Sequence, residues 1–590
     1  MKSIYCLPYL GVEKIDEMND LVLKVLSEIV EVKAFSLKNE SELYPDNYKD
    51  SIPNLIFTPT FFDFRNPLSY DGVEFALRWY FHIISNESIN NCEIVLLGTE
   101  DKAAFYQHCN YSNILKCPNI YYLQNSFEDI SQFLLEYQSK ENDRKGALER
   151  IEKIGIIPPT SFKTHHSIAN EWSILRWASA LGIMADNNLQ IKKVKESVDS
   201  ILYYNYLAAK YPIKGIDRGK SYKIQYKGKI LFVDDELDKG WELIFREITS
   251  GMELESIDFC GAGNDFKGKS QNEIEKIIEK KISQFDPDVI VLDLRLTDDD
   301  FENEISEITG YRVLQKVKGY YDKGMKLFIP GINAGIQVIV LSATNKVWNL
   351  QALNEAGADG FIIKESPENS IDGNFTNQSI KNIYKTLDRS LEWSFLKSFY
   401  MQFNPIKDDL IARKDYKKCS NFLPKDFVDE VIKWIELSNQ NLVANKNSFG
   451  ITSSFLIYFS VIENITNRLI DVDNPILAET ILGQKKYNYQ FRITDQKLRN
   501  FVEDPERSGL YRKSKSKLTS SRNIPWAVKI LNAFDFISEF HFEEDVVSNL
   551  IKKRHQIIHA NVTTGDKINI NLNDLQSLYA FIIEGLKKIK

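Results

Sequence analysis

Along the first 140 residues, short apolar runs alternate with amphipathic stretches. "SIYCLPYL", "NLIFTPTFF", "CEIVLLG" and "NIYYLQ" have the length and continuity of buried strands, while "GVEFALRWYFHII" has helical spacing. Alternation of this kind predicts a parallel α/β sheet over 1–142. From 143 to 218 the apolar spacing turns helical ("SIANEWSILRWASALGI", "VKESVDSILYYNYLAAKY") and strand signals fade, which predicts a helical linker. "KGKILFVDDE" opens a second α/β unit over 219–392. Beyond "SLEWSFLKSFYMQF" the strand-like runs almost vanish, so 393–590 is expected to be all-α. The fold class is therefore multidomain: two α/β parallel-sheet units of flavodoxin-like type, a helical linker and a C-terminal helix bundle.

Length supports this division, because 590 residues exceed what one core organises. A hydrophobic share of 43% and a charged share of 26% belong to a globular chain. No uninterrupted apolar run reaches the roughly 18 residues of a membrane-spanning helix, and no secretory signal opens the chain, so a cytoplasmic protein without membrane partners is expected. Cys6, Cys92, Cys109, Cys117, Cys260 and Cys419 show no CxxC spacing and read as reduced, mostly buried thiols. The net charge of −8 argues against a general nucleic-acid coat. The basic stretch "RSGLYRKSKSKLTSSR" (507–522) fits a phosphate-contacting loop or simply a solvated one.

In the second unit, "ILFVDDE", "DVIVLDLRL" and "QVIVLSATN" each run apolar up to a polar end, and "GADGFIIKES" follows. Polar residues at the carboxyl ends of neighbouring parallel strands converge on one crevice. Asp234, Asp235, Asp293, Ser342 and Lys364 are thus expected to meet. This ordered set resembles the receiver domain of response regulators over about 227–390. The resemblance implies phosphorylation of Asp293 as an aspartyl phosphate, with Mg²⁺ held by Asp234, Asp235, Asp293 and the Arg295 carbonyl. It also implies phosphoryl contacts from Lys364 and the Ser342 hydroxyl, and an aromatic switch at Phe361. Glu365 departs from the proline common after this lysine, so the usual cis turn is not expected there. Asp293 and Ser342 stand 49 positions apart, an interval longer than in a compact receiver. "TDDDFENEISEITG" accounts for part of the excess and suggests an acidic docking loop.

The first unit resembles a degenerate receiver. "LSYDGVEFALRW" (68–79) has the character of the helix after a receiver's third strand, but Thr58 and Pro59 stand where the acceptor aspartate belongs. No acidic pair follows "SIYCLP", and Gln124 stands near the expected lysine. His165 and His166 suggest phosphohistidine less than a structural helix start.

Near the chain end, "FEEDVVSNLIKKRHQIIHANV" (542–562) is amphipathic, and it carries Arg554, His555 and His559 in a chain with only seven histidines. Arg554 followed by His559 resembles the R-x4-6-H signature of HEPN domains, whose catalytic members are metal-independent ribonucleases acting as dimers. Flanking helices at "SSFLIYFSVIENITNRLI" (453–470) and "LNDLQSLYAFIIEGLKKI" suit such a bundle. The resemblance implies His559 as general acid/base, Arg554 as phosphate clamp and His555 as an orienting neighbour, with no cofactor at that site. On an ideal helix, positions 554 and 559 lie about 140° apart, flanking a groove that a second copy would complete. An HxxxH metal site, a polar cluster at a helix end, and a HEPN-like fold used only for binding remain alternatives. No helix-turn-helix pattern with a basic recognition helix follows 393.

Together these readings predict a response-regulator-like protein phosphorylated by a partner sensor histidine kinase. The phosphoryl state would control a dimeric HEPN-like endoribonuclease with RNA as substrate, in stress or phage (antiviral) defence. The alternative is a non-enzymatic two-component adaptor or phosphate sink.

Overall fold

The computed structural model describes residues 54–138, 144–158, 166–213, 225–342, 347–367, 374–412, 425–469, 544–559 and 570–588 with a few short gaps. It also gives the backbone of 2–7, 31–36 and several strand segments between 479 and 512.

The first sheet contains β1 (Lys2–Leu7), β2 (Glu31–Ser36), β3 (Leu55–Pro59), β4 (Glu93–Gly98) and β5 (Ile120–Gln124). All pair in parallel in the order β2-β1-β3-β4-β5. β3 and β4 are buried throughout, as the uninterrupted apolar runs require of strands covered on both faces. Helices α1 (Asp71–Ser85), α2 (Lys102–His108) and α3 (Phe127–Glu136) follow β3, β4 and β5.

The segment read as a linker is shared between two cores. It comprises α4 (Arg144–Ile151), α5 (His166–Leu181), α6 (Leu189–Asp199) and α7 (Leu202–Lys210). Ala147 and Ile151 of α4 join the first core. Leu202 and Ala209 of α7 face the same core, whereas Tyr204 and Leu207 face that of the second unit. Arg78 of α1 donates to Asn205 Oδ1 at 2.8 Å and to the Ser200 carbonyl at 2.7 Å. These helices therefore fasten the two α/β units together.

The second sheet contains β6 (Lys229–Val233), β7 (Ser256–Cys260), β8 (Val289–Asp293), β11 (Gln337–Ser342) and β12 (Gly360–Ile363). Its parallel order is β12-β11-β8-β6-β7. Counted within each unit, both sheets run 2-1-3-4-5, the doubly wound order whose switch point lies between first and third strands. The surrounding helices are α8 (Trp241–Thr249), α9 (Gln271–Phe285), α10 (Thr309–Lys318), α11 (Val347–Glu355) and α12 (Phe375–Glu392).

Part of the excess length between Asp293 and Ser342 lies beyond the acidic stretch. An antiparallel hairpin, β9 (Gly319–Asp322) and β10 (Leu327–Pro330), is inserted between α10 and β11. The acidic stretch at 297–310 turns inward at Asp300, whose fully buried carboxylate accepts from the N–H groups of Leu296, Thr297 and Thr309 and from the Thr309 hydroxyl. Asp299, Glu304 and Glu307 of the same stretch stay exposed.

Beyond α12, helices α13 (Phe395–Ala412), α14 (Lys425–Ala444), α15 (Ser448–Leu469), α16 (Glu544–His559) and α17 (Leu572–Lys588) share one core. Phe399 of α13 stacks on Tyr579 of α17 with centroids 3.6 Å apart, and the tyrosine hydroxyl donates to the Phe399 carbonyl at 2.6 Å. The C-terminal part is not all-α. Glu479–Leu482 pairs antiparallel with Lys485–Asn488, and Leu510–Arg512 lies between Phe491–Arg492 and Val502–Glu503. The sequence places Gly483 and Gln484 between the first two segments, a composition that tight hairpins favour. Among the described residues one helix, α15, is long and apolar enough over Ser448–Asn467 to cross a membrane. Half of that stretch is buried, with Phe455, Tyr458, Phe459 and Ile462 in the helical core.

The helical core docks on the amino-terminal ends of the second unit's strands. Lys397 of α13 pairs with Asp288, just before β8, at 3.1 Å and with Asp286 at 2.9 Å. Lys446, in the turn from α14 to α15, pairs with Asp359, just before β12, and donates to Gln337 at the start of β11.

Candidate functional site

Strand register brings the polar residues together at the opposite, carboxyl end of the second sheet. Val233 is level with Leu292, and Leu341 with Asp293, so the residues that follow β6 and β11 flank the end of β8. Asp234, Asp235 and Asp293 each offer a carboxylate oxygen, all within 4.8 Å of one another. Lys364 donates to Asp293 Oδ2 at 2.6 Å and to Asp234 Oδ2 at 2.9 Å. Its backbone N–H donates to the Ser342 carbonyl at 2.8 Å, which ties the lysine to the end of β11. Asp234, Asp293 and Lys364 are buried, while Asp235 is the exposed member at the crevice mouth.

Three carboxylates facing one ammonium leave excess negative charge in a confined space. Burial pushes the Asp234 carboxyl up, with Asp293 adding to the rise, even though Lys364 opposes it. Asp235 rises as well: although its side chain reaches solvent at the mouth, the surrounding protein thins its hydration, and Asp234, Asp293 and Glu236 add like charge. Burial alone would lower the Lys364 ammonium, but Asp234 and Asp293 outweigh it and hold it above its ordinary value. Such an oxygen set fits a hard divalent cation such as Mg²⁺, which supplies the missing positive charge.

Asp293 is further shaped by its neighbours. The Arg295 N–H lies 3.4 Å from Asp293 Oδ1. Gly310, second residue of α10, lies so close that a Cβ there would stand 2.4 Å from the Asp293 carbonyl oxygen. Phe361 sits half-buried on β12, paired with Val340 and packed against the core. No cis peptide occurs among the described residues, in keeping with Glu365 in place of proline.

Sequence reading missed Trp241, Arg176 and Thr376, and took Glu365 only as a departure from proline. Trp241 lies beneath Lys364, whose Nζ is 4.8 Å from the ring centroid. Glu365 is fully buried and accepts from Arg176 of α5 at 3.0 Å, and Thr376 donates to its other oxygen. Only the acidic residue in the proline position hinted at this network.

In the first unit, Thr58 is fully buried at the end of β3, and its hydroxyl is directed to the Pro59 carbonyl at 3.3 Å. Gly72 repeats the close approach of Gly310: a Cβ there would stand 1.9 Å from the Pro59 carbonyl oxygen. Gln124 ends β5 exposed. Among the described residues, the only trio of potential metal ligands is the one in the second unit.

Arg554, His555 and His559 lie on α16, with His559 its last residue. The imidazoles of His555 and His559 fall outside the described residues, as do His165 and the His166 side chain. Arg554 pairs with Glu463 of α15 at 2.6 Å, both partly buried. Of the basic stretch 507–522, only the backbone of Leu510–Arg512 is described. Cys92, Cys109, Cys117 and Cys260 are free and buried, while Cys6 and Cys419 lie outside the described side chains.

No protein-family model matches the chain, and no curated protein matches it. Among solved structures, a LuxR-family two-component response regulator from Aurantimonas sp. SI85-9A1 is 18% identical, covering 27% of this chain and 86% of its own, with a TM-score of 0.16. Tagatose-6-phosphate ketose/aldose isomerase from Escherichia coli is 11% identical, covering 67% of this chain and 81% of its own, with a TM-score of 0.15. Scores this low carry no weight about activity. The strand order and the crevice residues themselves define a doubly wound parallel α/β unit with an acidic crevice at the carboxyl end of its sheet.

Proposed function

We propose that the second unit is a phosphoryl acceptor, with Asp293 as nucleophile and a partner sensor histidine kinase as donor. The observation that carries this reading is the convergence of three carboxylates and Lys364 at the switch point of the sheet. Asp234, Asp235 and Asp293, with the Arg295 carbonyl, would hold Mg²⁺. The ion would neutralise charge on the transferred group. An Asp293 oxygen forms a bond to phosphorus as the bond from phosphorus to the donor's imidazole nitrogen breaks, and the released imidazole recovers a proton. Lys364 and the Ser342 hydroxyl contact the phosphoryl oxygens, and Phe361 reports the change.

The output on this reading is a HEPN-like helical domain acting as a dimeric, metal-independent endoribonuclease through Arg554, His555 and His559, in stress or phage defence. The test is Mg²⁺-dependent labelling by phosphoramidate, in wild type and Asp293→Asn, with RNA cleavage followed in parallel and in His559→Ala. Labelling confined to wild type, with cleavage that needs His559, is expected; no labelling at Asp293 would overturn the acceptor assignment. The second reading, an adaptor or phosphate sink, is favoured by one observation. The Arg554 guanidinium is engaged by Glu463 inside the helical core, as a structural ion pair would be.

A further inference from the structure

The two neighbours of the second unit attach at opposite ends of its sheet. The C-terminal helices hold Asp288, Gln337 and Asp359 at the starts of β8, β11 and β12. Five-residue strands put that end about 15–20 Å from Asp293. The connector, by contrast, reaches the crevice. From α5, Arg176 donates to Glu365, the residue joined to Lys364, and both side chains are at least 97% buried. The guanidinium also donates to the Tyr211 carbonyl and lies 5.3 Å from the Trp172 ring centroid. Nearly two turns earlier, Asn170 accepts from Trp241 Nε1 at 3.0 Å, and the Trp241 ring carries the Lys364 ammonium on its face. The approach is close, since a Cβ on Gly240 would stand 2.8 Å from Ile174 Cγ2. Lys364 is thus fixed twice by α5, once along the chain through Glu365 and once from below through Trp241. A buried ion pair is poor at adding stability but good at enforcing one arrangement, because either charge left alone is costly.

We infer that Arg176 is a positioning residue for phosphoryl transfer: through Glu365 it holds Lys364 against Asp293, which makes the connector the element that feels the phosphoryl group. This rests on Asp293 being the acceptor. When Lys364 turns to the phosphoryl oxygens, the strain passes to Glu365 and Trp241, and from them to α5 and the first α/β unit packed on α7. A second route leads from Glu365 through Thr376 to α12, which runs on into the helical domain.

The experiment uses the full chain, phosphoramidate and Mg²⁺, and compares wild type with Arg176→Gln, Arg176→Lys and Glu365→Gln. The rate of Asp293 labelling is measured against phosphoramidate concentration. Hydrogen exchange of 170–181 and of 425–469 is followed before and after labelling. Arg176→Gln and Glu365→Gln are expected to slow labelling by about 10- to 100-fold, the scale on which a displaced catalytic group acts, with little change in half-saturation. Arg176→Lys recovers most of the rate, and labelling alters exchange in 170–181 before any change in 425–469. Glu365→Gln is nearly isosteric and keeps the Thr376 contact, so it remains informative if Arg176→Gln does not fold. Rates within twofold of wild type in both charge-removing variants, or an exchange change confined to 425–469, would overturn the positioning role alone. A wild-type chain that takes no label would overturn the acceptor assignment beneath it.

Discussion

Asp359, at the turn into β12, meets two buried cations at once. Lys318 lies 2.6 Å from it, and Lys446 reaches it from the helical domain. The carboxylate also accepts the Val338 N–H at 2.6 Å. Burial would raise this carboxyl, but the two lysines outweigh burial and lower it. Lys446 is pushed down to about 8, because burial, together with the charge of Lys318, exceeds what a shared Asp359 returns. The two partners of one ion pair therefore predict opposite mutational signs. Asp359→Asn strands two ammonium groups without a counter-charge and should cost about 3–5 kcal/mol. Lys446→Met removes the under-compensated charge and leaves Lys318 paired one to one. The gain of about 1–3 kcal/mol expected for such a replacement is offset by about 1 kcal/mol for the Gln337 oxygen that loses its donor. The lysine's ordinary value is 10.5, so between about 8 and 10.5 the unfolded chain holds a proton that the folded chain has released. Wild-type stability from this group therefore rises with pH across that window and is flat below it. The difference is about 3 kcal/mol, so any advantage of Lys446→Met at pH 7 should shrink or reverse by pH 10. Urea midpoints of the full chain at both pH values, with hydrogen exchange at 425–469 to report the docked helices, decide the matter. Loss of more than about 2 kcal/mol in Lys446→Met at pH 7, or near-neutral behaviour of Asp359→Asn, would refute the reasoning, since neither fits a site with one cation too many.

Gly310→Ala should destabilise the second unit and weaken labelling at Asp293, because the added Cβ meets backbone alone, the Asp293 carbonyl oxygen at 2.4 Å and Leu294 Cα at 2.6 Å; a urea transition and intact mass after phosphoramidate treatment read the two effects. Phe399→Ala removes the ring stacked on Tyr579 between α13 and α17 and should lower stability by about 3–5 kcal/mol, seen as an earlier urea transition. A double-mutant cycle on Arg554→Ala and Glu463→Ala should return a coupling of about 1 kcal/mol or more if the pair is structural; additive effects would free Arg554 for a role at the chain's surface.

The runs ending in Asp293 and Ser342 were legible because strands buried on both faces have no polar interruptions, and their polar ends then name the crevice. β2 was not legible: "EVKAFS" opens on Glu31 and interrupts its apolar residues with Lys33, so it lacks the continuous run that marks its neighbours. The inserted hairpin escaped because its exposed Tyr321, Leu327 and Phe328 do not alternate cleanly with polar residues. α15 was expected only as a flanking bundle helix, because its serines, asparagines and Glu463 conceal a stretch apolar enough to span a membrane. The Arg176–Glu365 pair lay beyond any local pattern, because 189 positions separate partners that only the packing of the connector brings together.

Gly72 and Gly310 mark the same corner in two sheets of which only one has the acid. What each glycine answers to is a carbonyl oxygen of the preceding strand end, Pro59 or Asp293, and that oxygen is there whatever side chain the strand carries. Frame and reagent are thus separable at this corner. The frame tolerates no side chain on the helix, whereas the strand residue beside it, Pro59 or Asp293, is limited only by its own buried surroundings. A saturation scan would show the asymmetry: small residues accepted at Pro59, and near-uniform rejection at Gly72.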